Sequence, residues 1–152
     1  MSYQFNGELI SILERSGWSS MRKARTNQYA SDWKRDGYKV FQQALDFSAS
    51  FGEIRLAHPA YAGGAFDESY FDPSAATRRL DRAWVVEDYE GLAMERLIPV
   101  GQGYSGHLNY LIGDRGGFYG GYDDYFCRIG KTVEEAMKKI LLGGNFEKLP
   151  GL

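Results

Sequence analysis

Residues 94–144 read MERLIPVGQGYSGHLNYLIGDRGGFYGGYDDYFCRIGKTVEEAMKKILLGG, and their punctuation decides the fold. Short apolar runs separated by glycine-rich breaks predict three or four antiparallel strands, followed by one helix. Gly113, Gly116, Gly117, Gly120 and Gly121 are expected to supply the positive backbone angles of tight reversals. The helix announces itself at both ends. Thr132 and Glu135 have capping-box spacing, and Gly143 is placed to accept the left-handed stop. Between them Val133, Ala136, Met137, Ile140 and Leu141 recur at i, i+3, i+4, i+7 and i+8, a continuous apolar stripe. Glu134–Lys138 and Glu135–Lys139 are spaced as stabilising i,i+4 pairs on the other face.

Upstream, Phe5, Leu9, Ile12 and Leu13 predict a first helix stopped at Gly17, with Trp18 beginning the next segment. The polar, basic stretch 19–38 is expected to hold a loop and a short helix around Ser31–Asp36, ended by Gly37. Val40, Phe41, Ala44, Leu45, Phe47 and Phe51 make a broad helical face before Gly52. The period then changes: Ile54–Ala57 reads as a strand ended by His58-Pro59, and 60–66 as a turn into a strand at Glu68–Phe71. Asp72-Pro73 opens a helix expected to run to about Tyr89, with Gly91 closing it. Arg96–Val100 follows as a strand whose Pro99 implies an edge or a bulge. Helices and an antiparallel sheet in this order predict an α+β fold, one domain over residues 1–152.

With 18 basic and 20 acidic side chains the net charge is −2, which gives no electrostatic case for direct nucleic-acid or membrane binding. The charge is uneven: residues 1–40 carry seven Lys/Arg and four Asp/Glu, and residues 41–152 eleven and sixteen. One cysteine forms no internal disulfide, and neither a signal peptide nor a membrane-length apolar run is legible, so a cytoplasmic location is expected.

The sequence contains no phosphate loop, no dinucleotide fingerprint and no metal spacing. His58, His107 and Cys127 are isolated from one another, and Cys127 alternates with Tyr125 and Ile129 as a small buried thiol would. The expectation is no catalytic residues, no metal and no cofactor. What stands out is aromatic content, with eleven Tyr, nine Phe and three Trp. Tyr104, Tyr110, Tyr119, Tyr122 and Tyr125 all lie in the meander, and tyrosine is enriched at protein interfaces. The turn Tyr122-Asp123-Asp124-Tyr125 is the leading partner-binding patch, with Tyr104 and Tyr119 as further candidates.

Several segments together resemble the SUKH superfamily, and within it the third subfamily. They are Gly17-Trp18, Phe51-Gly52, Tyr70-Phe71-Asp72-Pro73 with Ala75-Ala76, and Leu97-Ile98-Pro99-Val100-Gly101. The meander Leu111-Ile112-Gly113-Asp114-Arg115-Gly116-Gly117-Phe118-Tyr119 and the ending Glu135-Ala136, Leu142, Gly143 complete the likeness. The resemblance implies a non-enzymatic immunity protein of a bacterial polymorphic toxin system. Its partner would be a cognate toxin domain of nuclease or deaminase type, neutralised by occlusion. Asp67, Glu68, Asp123 and Asp124 would then face a basic groove of that toxin and speed association. Two other readings are an adaptor of the same fold without a toxin partner, and an enzyme using Cys127, His107 and Asp114. The sequence leaves the oligomeric state open.

Overall fold

The computed structural model describes residues 3–60 and 65–149 of the chain. Helices α1 (Gly7–Arg15), α2 (Asn27–Arg35) and α3 (Gln42–Phe51) precede β1 (Arg55–Pro59) and β2 (Phe66–Tyr70). Next come α4 (Pro73–Arg79), α5 (Arg82–Trp84), a π turn at Val85–Tyr89 and α6 (Glu90–Ala93). The meander comprises β3 (Leu97–Gly103), β4 (Leu108–Gly113), β5 (Phe118–Tyr122) and β6 (Tyr125–Gly130). It is followed by α7 (Val133–Leu142) and a two-residue strand, β7 (Glu147–Lys148). The seven strands pair antiparallel in chain order, β1 to β7, so no connection crosses the sheet. The α+β expectation holds.

The closing helix α7 forms as its sequence dictates. Thr132 Oγ1 accepts from the Glu135 amide at 3.1 Å, and all five residues of the apolar stripe are buried. Glu135 pairs with Lys139 at 3.4 Å, whereas Glu134 turns away to accept from the Gln4 amide at 3.0 Å. This helix lies against α1, β1 and β6, strands at nearly opposite ends of the pairing order. The sheet therefore curls around it.

Stacked aromatic rings fill the space between the helices and the sheet. Phe47 and Phe51 lie face to face with centroids 4.9 Å apart, Trp18 stacks on Phe51 at 5.8 Å, and Phe71 meets Phe47 edge-on at 5.3 Å. Trp33 is fully buried and its indole nitrogen donates to the Pro99 carbonyl at 2.9 Å. The register shifts between Pro99 and Gly101, so the bulge read from the proline is real, although β3 is a central strand.

Several boundaries differ from the sequence reading. Helix α2 starts at Asn27, earlier than Ser31, and Gly37 adopts the expected positive φ of 97°. Gly52 does end α3 but with φ −52°; its missing Cβ makes room for the Tyr29 ring, and Glu53 takes the left-handed turn at φ 72°. Strand β1 runs through His58 and Pro59, because an edge strand tolerates the missing amide of proline. The turn expected at 60–66 falls largely on residues 61–64, outside the described residues; Ala60 N donates to Ala65 O at 2.8 Å across it. Asp72 caps α4 as read, accepting from Ala75 N at 3.1 Å. The single helix expected to Tyr89 instead breaks at Leu80, where Asp81 caps a new start by accepting from Ala83 N at 2.9 Å. Gly91 lies inside α6, and Met94 in the left-handed region (φ 59°) ends it.

The meander glycines serve a different purpose from the one their composition implied. Of the five, Gly116 alone has a positive φ, 93°. A Cβ on Gly113 or Gly117 would strike the Glu95 carboxylate, which accepts from the Arg115 amide at 2.6 Å and from the Tyr119 hydroxyl at 2.5 Å. Gly120 and Gly121 leave room for Leu108 and for the ring of Tyr89. Close approach, not chain reversal, selects these four.

Candidate functional site

The registers bring the ends of several strands to one side of the sheet. The start of β2, the end of β3, the start of β4, the β5–β6 turn and the stretch around β7 all meet there. At this end Tyr104, His107, Leu108, Tyr122, Tyr125 and Phe146 line a cavity of about 240 Å³. Tyr122 and Tyr125 stack with centroids 5.1 Å apart and planes 21° from parallel. Tyr104 lies edge-on to Phe146 at 5.7 Å, and Lys148 Nζ sits 6.0 Å from the centre of the Tyr125 ring. Tyr122 is 45% exposed, which is unusual for so large a side chain in this molecule.

Two turns shape the groove, and both contain backbone that non-glycine residues rarely adopt. In the β3–β4 turn Tyr104 and Ser105 have φ of 54° and 61°, and in the β5–β6 turn Asp123 has φ 45°. These three are among five non-glycine residues with positive φ in the described chain. Such conformations cost on the order of 1 kcal/mol each and persist where neighbours over-determine them. The neighbours are identifiable. Asp67 Oδ1 accepts from the Ser105 amide at 2.9 Å, and Tyr104 N donates to the Glu68 carbonyl at 3.1 Å. Arg79 donates to the Gly106 carbonyl. The Tyr89 hydroxyl donates to the Asp123 carbonyl at 2.6 Å.

The residues singled out from sequence separate accordingly. Tyr104, Tyr122 and Tyr125 converge on the groove, and Asp123 and Asp124 form its exposed turn, engaged by no ion pair among the described residues. Asp67 and Glu68 adjoin it, but Asp67 is used to hold Ser105 and Glu68 pairs with Arg55 at 3.0 Å. Tyr119 is withdrawn. It is 2% exposed, stacked on Phe126 at 5.3 Å and bonded to Glu95, so it offers no surface to a partner. Tyr110 is likewise buried. His107, Leu108 and Phe146 line the groove without having been picked out for it. For Phe146 the signal was available, an aromatic residue two positions beyond the Gly143-Gly144 break.

The constellation Cys127, His107 and Asp114 is not assembled. His107 precedes β4 and Asp114 follows it, at opposite ends of a six-residue strand, roughly 20 Å apart at strand rise. Cys127 is fully buried, and burial pushes its thiol up to about 11, leaving it protonated and unreactive. One serine does meet a histidine: His58 Nε2 and Ser69 Oγ lie 2.7 Å apart, and Ser69 Oγ and the Tyr110 hydroxyl 2.5 Å. All three are buried, and burial pulls the His58 ring below its ordinary value of 6.5, favouring the neutral form. This chain runs beneath Tyr104, whose ring centre is 4.8 Å from that of His58, and serves as a polar strut under the groove. Among the described residues no group of three His, Cys, Asp or Glu side chains is placed to hold a metal, and no helix is long and apolar enough to cross a membrane.

The family model described as SUKH-3 immunity protein matches residues 5–143. No curated protein and no solved structure matches the chain.

Proposed function

Because the chain belongs to the SUKH-3 immunity protein family, we propose that it neutralises a cognate toxin by covering it with the groove at the end of the sheet. The toxin is of nuclease or deaminase type, secreted or delivered by contact, and the immunity domain acts from the cytoplasm as a single unit without turnover. The observation that carries the reading is the joining of an aromatic hollow, Tyr104, Tyr122, Tyr125 and Phe146, to an exposed acidic turn, Asp123-Asp124, on backbone held in a costly conformation. Rigid aromatic side chains give contact area at low entropic cost. A basic surface that grips a nucleic-acid substrate is complementary to the acids beside them. Steering by Asp123 and Asp124 raises the association rate more than it deepens affinity.

The test is co-expression with the toxin gene that neighbours this one, scoring survival and co-purification. In titrations the double replacement Asp123→Lys and Asp124→Lys is expected to slow association about tenfold at low salt, an effect that shrinks as salt is raised. Unchanged association and affinity would remove this surface from the account. Death of the co-expressing cells together with failure to co-purify would favour the adaptor reading instead.

A further inference from the structure

The surface of the sheet already holds one cation in a defined way. Arg55 on β1 lays its guanidinium carbon 3.7 Å from the centre of the Tyr70 ring on β2, and its Nη1 donates to Glu68 Oε1 at 3.0 Å. The two charged side chains are 59% and 56% exposed, so burial does not force them together. A flat, weakly hydrated guanidinium gains from a ring face and a carboxylate at once.

The groove end of the sheet repeats two of these three parts. Tyr122 supplies the ring, and the next two residues, Asp123 and Asp124, supply the carboxylates. One face of the Tyr122 ring is taken by Tyr125, on a plane 21° from parallel. With the residue 45% exposed and that face covered, the other face is the one left to solvent. Among the described residues no cation lies over Tyr122, and neither acid is ion-paired. Lys148 is spent on the neighbouring ring, Tyr125. Both acids are exposed, so a partner can reach them, and the Tyr89 hydroxyl fixes the turn that carries them.

The chemistry of the missing third part follows. An apolar guest would use the ring and leave two carboxylates idle. A lysine ammonium is compact and strongly hydrated, and pairs with an acid without needing the ring. A guanidinium uses both, with five donors in one plane that also stacks. We infer, on the reading that this end of the sheet covers a toxin, that Tyr122 and the Asp123-Asp124 turn clamp one arginine of that toxin, its guanidinium flat on the open face of the ring and donating to the turn.

The probe is N-acetylarginine N-methylamide, added to the intact protein while the amides of residues 122–125 are followed in a nitrogen–proton correlation spectrum. Saturable movement with a midpoint on the order of 1 mM is expected for a single side chain. N-acetylcitrulline N-methylamide, the same shape without the charge, should bind about fivefold more weakly, and the lysine counterpart should also bind more weakly than arginine. Tyr122→Phe keeps the ring face and should bind within about twofold of the parent, whereas Tyr122→Leu should lose about fivefold. The joint change Asp123→Asn and Asp124→Asn should lose about as much. An absence of saturable movement with the arginine probe would overturn the clamp outright. Citrulline or lysine binding as tightly as arginine would overturn the guanidinium, and equal losses in Tyr122→Phe and Tyr122→Leu the ring face. Co-purification with the neighbouring toxin is read separately. Where it persists over an unmoved turn, the covering role stands and the arginine falls; where it fails although arginine binds the turn, the toxin reading falls and the arginine loses its source.

Discussion

Tyr89→Phe isolates the link between the core and the acidic turn. The Tyr89 ring is fully buried, with Trp84 at 6.4 Å and Phe126 at 4.5 Å on nearly parallel planes. Phenylalanine keeps that stack. The loss is one hydrogen bond, from the hydroxyl to the Asp123 carbonyl at 2.6 Å. A net contribution of about 0.5–1.5 kcal/mol is usual for such a bond. Asp123 is exposed, so its carbonyl can return to water and the cost should fall near 1 kcal/mol. For a chain of this size that lowers the melting temperature by about 2–4 °C. The local effect should be larger, because Asp123 is held at φ 45° and loses its tether. Calorimetry and amide exchange test both parts. Exchange at residues 122–125 should quicken by roughly fivefold or more, while the centre of β3 and β4 follows only the global change. An unaltered melting temperature together with unaltered turn exchange would refute the reasoning. A drop beyond about 8 °C would also refute it, because the hydroxyl would then be supporting the core and not the turn.

Gly121→Ala places a Cβ 2.7 Å from the immobile Tyr89 ring and should destabilise by about 1–3 kcal/mol, whereas Gly91→Ala meets nothing within 4 Å inside a helix and should stabilise by about 0.5–1 kcal/mol; denaturant midpoints give the two signs. His58 is held below 6.5 in the folded state, so the unfolded chain binds its proton first. Its contribution is intact above that pH and is lost as pH falls from 6.5 toward the folded value, by up to about 1.4 kcal/mol per unit. Urea titrations at successive pH values should show this slope, and it should flatten in His58→Gln. Cys127, with its thiol raised to about 11, should resist maleimide in native protein and react on unfolding, which mass spectrometry reads directly.

The sequence exposes those parts of the fold that depend on near neighbours. Thr132, the stripe from Val133 to Leu141 and Gly143 are one local message, and α7 follows it within a residue. The run from Asp72 to Tyr89 carries two local messages, and the helical periodicity of Leu80, Trp84 and Val85 hid the second, the cap at Asp81. The glycines misled because close approach and positive φ ask for the same residue; only packing shows that Glu95, Leu108 and Tyr89 occupy the space. The groove was half legible. Tyr122 and Tyr125 adjoin in sequence, but Tyr104 and Phe146 join them through register and through β7, a strand too short to leave a pattern. Tyr119 and Tyr122 stand three residues apart on β5 and so leave opposite faces of the sheet, one against Phe126 and the other against Tyr125, which composition cannot tell.

The curl of the sheet about one helix has a bearing on biosynthesis. Residues 133–142 leave the ribosome after β1 to β6 have all been made, yet β1 and β6 close only upon them. A nascent chain therefore carries its aromatic surfaces uncapped until that late segment emerges. Dependence on chaperones should be greatest in that interval, and a stalled product cut before residue 133 should go to proteolysis instead of lingering as a half-competent binder.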